Sequence, residues 1–137
     1  MKFMLSVLLL VVSMLMSFEG HARATVPIQS PQQADFAIGG DKVLSLETVR
    51  SSIGVAASNR DWQVVTEAPG KVQLRNVVRN KHVLVVNVLY NTKGVRIEYV
   101  SSENLKYEMH DGTAFIHPKY NEWVGLLLKD IVAKVGS

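Results

Sequence analysis

Cysteine is missing from the whole of the 137-residue chain. Its absence excludes a disulfide scaffold, a thiolate nucleophile, thiolate ligation of zinc or iron–sulfur clusters, and a lipid anchor on an N-terminal cysteine. Charge is sparse as well. Charged residues are 20% and apolar residues 47%, a balance that excludes both a disordered tail and a coiled-coil rod. The length suits one ordinary domain and is too short for two with separate cores. No internal repeat or low-complexity tract breaks it up.

What is there begins with Lys2 and an uncharged, mostly apolar run from Phe3 to Phe18, then Glu19, Gly20 and the small-residue pattern Ala22-Arg23-Ala24. This predicts a secretory signal peptide over residues 1–24, cleaved before Thr25. The alternative is an uncleaved N-terminal anchor, but the run falls short of the roughly 20 residues a spanning helix needs. Removing Lys2, Arg23 and Glu19 takes Lys+Arg from 15 to 13 and Asp+Glu from 12 to 11, a net of +2. So slight an excess argues against a nucleic-acid partner, which needs a clustered basic face.

Residues 25–43 carry two prolines, three glutamines and a Gly-Gly without helical or strand period, and read as a flexible leader. The single folded domain is expected over residues 44–137. Ser45 is placed to cap a helix whose Leu46, Val49, Ile53 and Ala56 or Ala57 follow one buried face. From Trp62 the period changes to two, and the runs 62–67, 71–79, 83–90 and 95–101 read as four strands joined by short turn-rich connections. Their alternation pairs Val64 with Leu74, Val78 with Leu84, Leu74 with Val88, Val88 with Ile97 and Val86 with Tyr99. Proline 118 opens a last helix with Tyr120, Trp123 or Val124, Leu127, Ile131 and Val135 on its buried stripe. The expected fold is α+β: a two-layer sandwich, a four-stranded antiparallel meander with an N-terminal and a C-terminal helix on one face.

Several segments carry a further likeness. Asp61-Trp62-Gln63-Val64, Ala68-Pro69-Gly70-Lys71-Val72, Arg79-Asn80-Lys81-His82, Val95-Arg96-Ile97-Glu98-Tyr99 and Ile116-His117-Pro118-Lys119-Tyr120-Asn121-Glu122-Trp123, with Ser102 and Asn104-Leu105, stand in that order. Over about residues 44–135 the chain resembles a family of small exported bacterial proteins, many described as lipoproteins of the cell envelope. The His-Pro-Lys-Tyr-Asn-x-Trp segment is the most specific part. The resemblance implies a bacterial envelope location, here the periplasm of a Gram-negative cell, and brings no catalytic residue. Where lipidated members would carry cysteine, this chain has Thr25.

Candidate chemistry is thin. His110, Asp111 and His117, beside Met109, offer nitrogen and oxygen ligands for zinc or copper, although a spacing of seven matches no helical pair. Ser101, Ser102 and His110 with Asp111 are the only residues for nucleophilic catalysis, and no glycine elbow surrounds either serine. Lys71, Arg75 and Arg79 alternate on the open sheet face with Lys81 in the turn, which suits phosphate groups or simply a solvated strand, with Glu67 facing Lys71. Asn121 is expected to hydrogen-bond the 101–105 linker and lock helix to sheet. Val77, Val85 and Val100 form an apolar row on the otherwise polar sheet face.

The expectation is a non-enzymatic, cofactor-free periplasmic domain that contacts an envelope protein, or itself, through Val77, Val85 and Val100. The alternative is a small-ligand or metal-binding protein using the 101–117 region.

Overall fold

The computed structural model describes residues 25–40 and 42–137, and the expected signal peptide over residues 1–24 lies outside them. Among the described residues the fold is α+β, with two helices and two antiparallel sheets. Strands β1 (Val26–Pro27) and β2 (Gln32–Asp35) precede helix α1 (Leu46–Ser58). Strands β3 (Gln63–Ala68), β4 (Lys71–Val78), β5 (His82–Tyr90) and β6 (Gly94–Glu103) follow. The short β7 (Glu108–His110) and β8 (Thr113–Ile116) lead into helix α2 (Pro118–Val135).

The meander β3–β6 is present, but within a five-stranded sheet of order β2-β6-β5-β4-β3. A second sheet, ordered β1-β8-β7, stands beside it. Both additions come from outside the expected meander, and residues 25–43 are not a leader outside the fold. Val26 and Pro27 pair with Ile116 and Phe115, and Gln32–Asp35 pair with Ile97–Gly94. Phe36 and Leu44 enter the core. A Cβ on Gly94 would stand 2.8 Å from the Ala34 carbonyl oxygen, so glycine there is what admits β2 to the edge of β6.

Apolar alternation places the core as expected. Val72, Leu74, Leu84, Val86, Val88, Val95 and Ile97 are buried under Val49, Ile53, Ala56 and Ala57 of α1 and Tyr120, Val124, Leu127, Ile131 and Val135 of α2. Ser45 caps α1, its Oγ accepting from the Thr48 amide at 3.0 Å. Leu46, expected on the buried face, is exposed; Ser52 is buried instead and donates to the Thr48 carbonyl at 2.9 Å.

Register departs from expectation in one hairpin and at two bulges. Val64–Leu74, Val88–Ile97 and Val86–Tyr99 pair as read, whereas Leu74 pairs with Val86 and Asn76 with Leu84. The β4–β5 turn starts one residue early, with Arg79 and Asn80 both left-handed (φ 56° and 54°), which slides the register by two and leaves the faces unchanged. In β3 the pairing skips Val65, so beyond it the faces invert. Glu67 therefore sits opposite Val72, not Lys71, and forms an ion pair with Arg50 of α1. Val64, though on the core side, remains about half exposed on this edge strand.

Candidate functional site

The segment over residues 116–123 joins several parts of the molecule. Ile116 is fully buried, and the His117 amide donates to the Leu105 carbonyl at 2.8 Å. His117 is the N-cap of α2, its Nδ1 accepting from the Lys119 amide at 3.1 Å, with Pro118 in the first turn where no amide is needed. Tyr120 is buried beneath Tyr99, which in turn stacks on Tyr107 with centroids 4.5 Å apart. Burial raises both the Tyr120 and the Tyr99 hydroxyl above the ordinary tyrosine range, so neither supplies a phenolate near neutrality.

Asn121 does not reach the 101–105 linker. Its Oδ1 accepts from the Gln29 amide at 2.9 Å and its Nδ2 donates to the Pro27 carbonyl at 3.1 Å, while Gln32 Nε2 donates to the Asn121 backbone carbonyl at 3.1 Å. It clasps the N-terminal segment against α2, a structural role of the expected kind with a different partner.

The histidines assemble differently from the sequence reading. His110 opens toward the tip of the β7–β8 hairpin, opposite Thr113, with its Nε2 against Glu108. His117 lies four residues beyond Thr113, about 13 Å along an extended strand. His110, Asp111 and His117 are thus not gathered, and among the described residues no group of three or more His, Cys, Asp or Glu side chains has the geometry to hold a metal. His117 has a further obstacle: neutral imidazole has one lone-pair nitrogen, and here it is the capping Nδ1.

His82 is the histidine that meets His117. The ring centroids are 6.5 Å apart, and His82 also packs on Trp123 at 5.9 Å. Its Nδ1 lies 2.8 Å from the Asn104 carbonyl, which can only accept, so Nδ1 is the donor. Asn104 Nδ2 donates to the Lys81 carbonyl at 2.8 Å. The β4–β5 turn, the β6–β7 link and the start of α2 are thereby stitched together. Burial lowers the His117 pKa below the ordinary histidine value, and repulsion from His82, Lys106 and Lys119 adds to it. Sequence distance hid this meeting, since 35 residues separate the two histidines and no periodicity links them.

Trp123 is shared with an adjoining open groove of about 380 Å³, lined also by Trp62, Arg60, Asp61, Asn76, Val77, Val78, Arg79 and Leu126. Both tryptophans of the chain line this groove. Asn76 is buried and donates through Nδ2 to the Arg60 carbonyl at 3.0 Å, and Arg60 is tied to Asp130 of α2. Left-handed backbone at Asp61, Arg79, Asn80, Asn104 and Lys106 is concentrated in the segments of this end (φ 54–63°). For arginine and lysine that conformation is uncommon and carries strain. A larger hollow of about 680 Å³ lies at the opposite end, between the β3–β4 and β5–β6 turns. There Asn91 Oδ1 is already occupied by the Lys93 and Gly94 amides, at 2.7 and 2.9 Å.

The remaining candidates stand apart. Ser102 Oγ shares a hydrogen bond of 2.8 Å with the Tyr99 hydroxyl, on the opposite side of the sheet from the open-face Ser101. Val85 lies directly between Arg75 and Ser101, Val77 is opposite Val83, and Val100 is the residue the β5–β6 pairing skips. Val77 and Val85 are diagonal neighbours across the β4–β5 pairing, and of the three only Val77 lines the groove. Lys71, Arg75 and Arg79 remain exposed along β4 and its turn.

Comparison of the chain with protein-family models, curated proteins and solved structures finds no match. Among the described residues no helix is long and apolar enough to cross a membrane.

Proposed function

We propose that this is an exported, non-enzymatic domain of the bacterial cell envelope that binds an envelope protein through the end of the sandwich where Trp62, Trp123, His82, His117 and Arg79 converge. The observation that carries the reading is the groove lined by the buried Trp62 and the partly accessible Trp123, with exposed Arg79 at its margin. Tryptophan and arginine are the side chains that most often anchor protein interfaces. Strained backbone in the surrounding turns supports the same surface, since such strain persists where the fold over-determines it and collects at functional sites. Export and the envelope setting rest on the apolar N-terminal run and on the family likeness of residues 44–135. The periplasm is the compartment that fits both.

The test is site-specific photocrosslinking in intact cells. With p-benzoylphenylalanine at position 79, a reproducible adduct with one envelope protein is expected; the same label at exposed Glu47 on α1 should give none. Equal labelling from both positions, or none from position 79, overturns the reading. An adduct of exactly twice the chain's own mass would replace the partner with self-association.

A further inference from the structure

The stitched surface beside the groove has a chemistry of its own. Three segments distant in sequence meet there, each bringing a basic side chain: His82 after the β4–β5 turn, Lys106 in the β6–β7 link, and His117 with Lys119 at the start of α2. Lys119 is partly balanced by Glu122, 3.1 Å away. Among the described residues Lys106 and His82 have no carboxylate partner within ion-pair distance. The helix end itself is not the attraction, because Pro118 has no amide hydrogen and the Lys119 amide is held by His117. The attraction is the set of side-chain cations.

Their kind and spacing favour one ligand over another. Lysine and histidine are point-charge donors, and no arginine fork of the sort that grips a phosphate is among them. Two imidazoles 6.5 Å apart, with lysines on separate segments, match several spaced carboxylates better than one tetrahedral anion.

Resting on the partner-binding reading above, we propose that His82, Lys106, His117 and Lys119 form a site for an acidic peptide segment of the partner, and that proton uptake by His117 tightens the complex. The proton step follows from the cap. Neutral His117 accepts the Lys119 amide through Nδ1; once protonated, the ring has two N–H donors and no acceptor, so the cap bond is released and both nitrogens are available to carboxylate oxygens. The groups facing His117 are His82 from β5, Lys106 from the link, and Lys119 with its partner Glu122 on α2. All but Glu122 are cationic or able to become so. Protonation in their midst is disfavoured until an anion arrives, which is what couples the two events.

The experiment is calorimetric titration of the purified protein with tetraglutamate, with tetraglutamine as the neutral control. Tightening of about fivefold is expected from about pH 7.5 to about pH 5.5, the effect of one added charge a few ångströms from a carboxylate in water. Lys106→Asn, which removes the charge and suits the left-handed backbone, should weaken binding about fivefold at both pH values. In a His82→Asn background, where a single imidazole remains in the site, His117→Asn retains a good N-cap and should abolish most of the pH effect while the protein stays folded. An unchanged pH effect on adding His117→Asn in that background overturns the proton step. Failure of tetraglutamate to bind at either pH overturns the acidic-segment site, and a position-79 adduct in the same protein would show that the partner reading survives it. Sulfate binding as tightly as tetraglutamate would also overturn it, in favour of a general anion site.

Discussion

The two sheets of this molecule are held by different physics. In the five-stranded sheet, Leu74, Leu84, Val86, Val88 and Ile97 are fully buried beneath two helices, and the strands are long enough to bury them in register. In the three-stranded sheet, β7 is exposed throughout and β1 is two residues long; Ile116 is its one fully buried side chain. What keeps β1 and the following segment in place is backbone pairing and the Asn121 clasp. Apolar area stabilises the first region, whereas a few polar bonds with long loop closures fasten the second.

That contrast sets the sizes of the expected effects. Leu84→Ala, in the middle of the large sheet, is expected to cost about 2–5 kcal/mol in urea unfolding, with both sheets lost in one transition. Asn121→Ala removes both side-chain bonds to the N-terminal segment and is expected to cost about 1–3 kcal/mol. Its effect should also be local. Faster hydrogen exchange is expected at the Ile28 and Phe36 amides, which pair with Ala114 and Lys93, and unchanged exchange in β5. Equal loss of protection along β5 would break the comparison.

The same division explains what could be read in the sequence. Alternation of Val72, Leu74, Leu84, Val86, Val88, Val95 and Ile97 is a direct imprint of one buried sheet face, and the helical stripe from Tyr120 to Val135 is equally direct. The segment over residues 25–43 leaves no such imprint, because its core contacts Ile28 and Phe36 are eight residues apart and show no period, and β1 and β2 are otherwise held by backbone pairing and by Asn121. Bulges are similarly silent: nothing in Gln63-Val64-Val65-Thr66 marks Val65 as the skipped residue, yet the skip moves Glu67 from Lys71 to Arg50. Of the candidate site, the segment around His117 was visible and Asn121 was recognised as structural. The meeting of His117 with His82 was not, since the two lie on elements whose approach depends on the Asn104 and Leu105 carbonyls.

His117 stands at the junction of the two regions, and its protonation sharpens the comparison further. Its proton affinity in the fold lies below the ordinary histidine value of 6.5, so the unfolded chain takes up the proton first. The stabilisation is fully present above that ordinary value and is lost as pH falls through the lower, folded one. Thermal unfolding should therefore shift downward on acidification, with the start of α2 and the β6–β7 link exchanging first. His117→Asn should flatten that dependence, and tetraglutamate should offset it in the unsubstituted protein. Acid loss concentrated in β4 and β5 instead would place the sensitive group elsewhere.

The smallest effect on stability is expected on the open sheet face, and it separates that face from the groove. Val85→Glu places a carboxylate directly across from Arg75, a favourable cross-strand pair, so stability should change by no more than about 0.5 kcal/mol. Val77→Glu introduces the same charge where the side chain lines the groove beside Arg79. If the partner sits in the groove, Val77→Glu should sharply lower the photoadduct yield at position 79 while Val85→Glu leaves it intact. Equal losses from the two substitutions would move the contact onto the sheet face. Loss from Val85→Glu alone would do the same and detach it from the tryptophans altogether. The valines thus differ in what they report, because the strand register gives one a solvated arginine as its neighbour and the other a place at the groove.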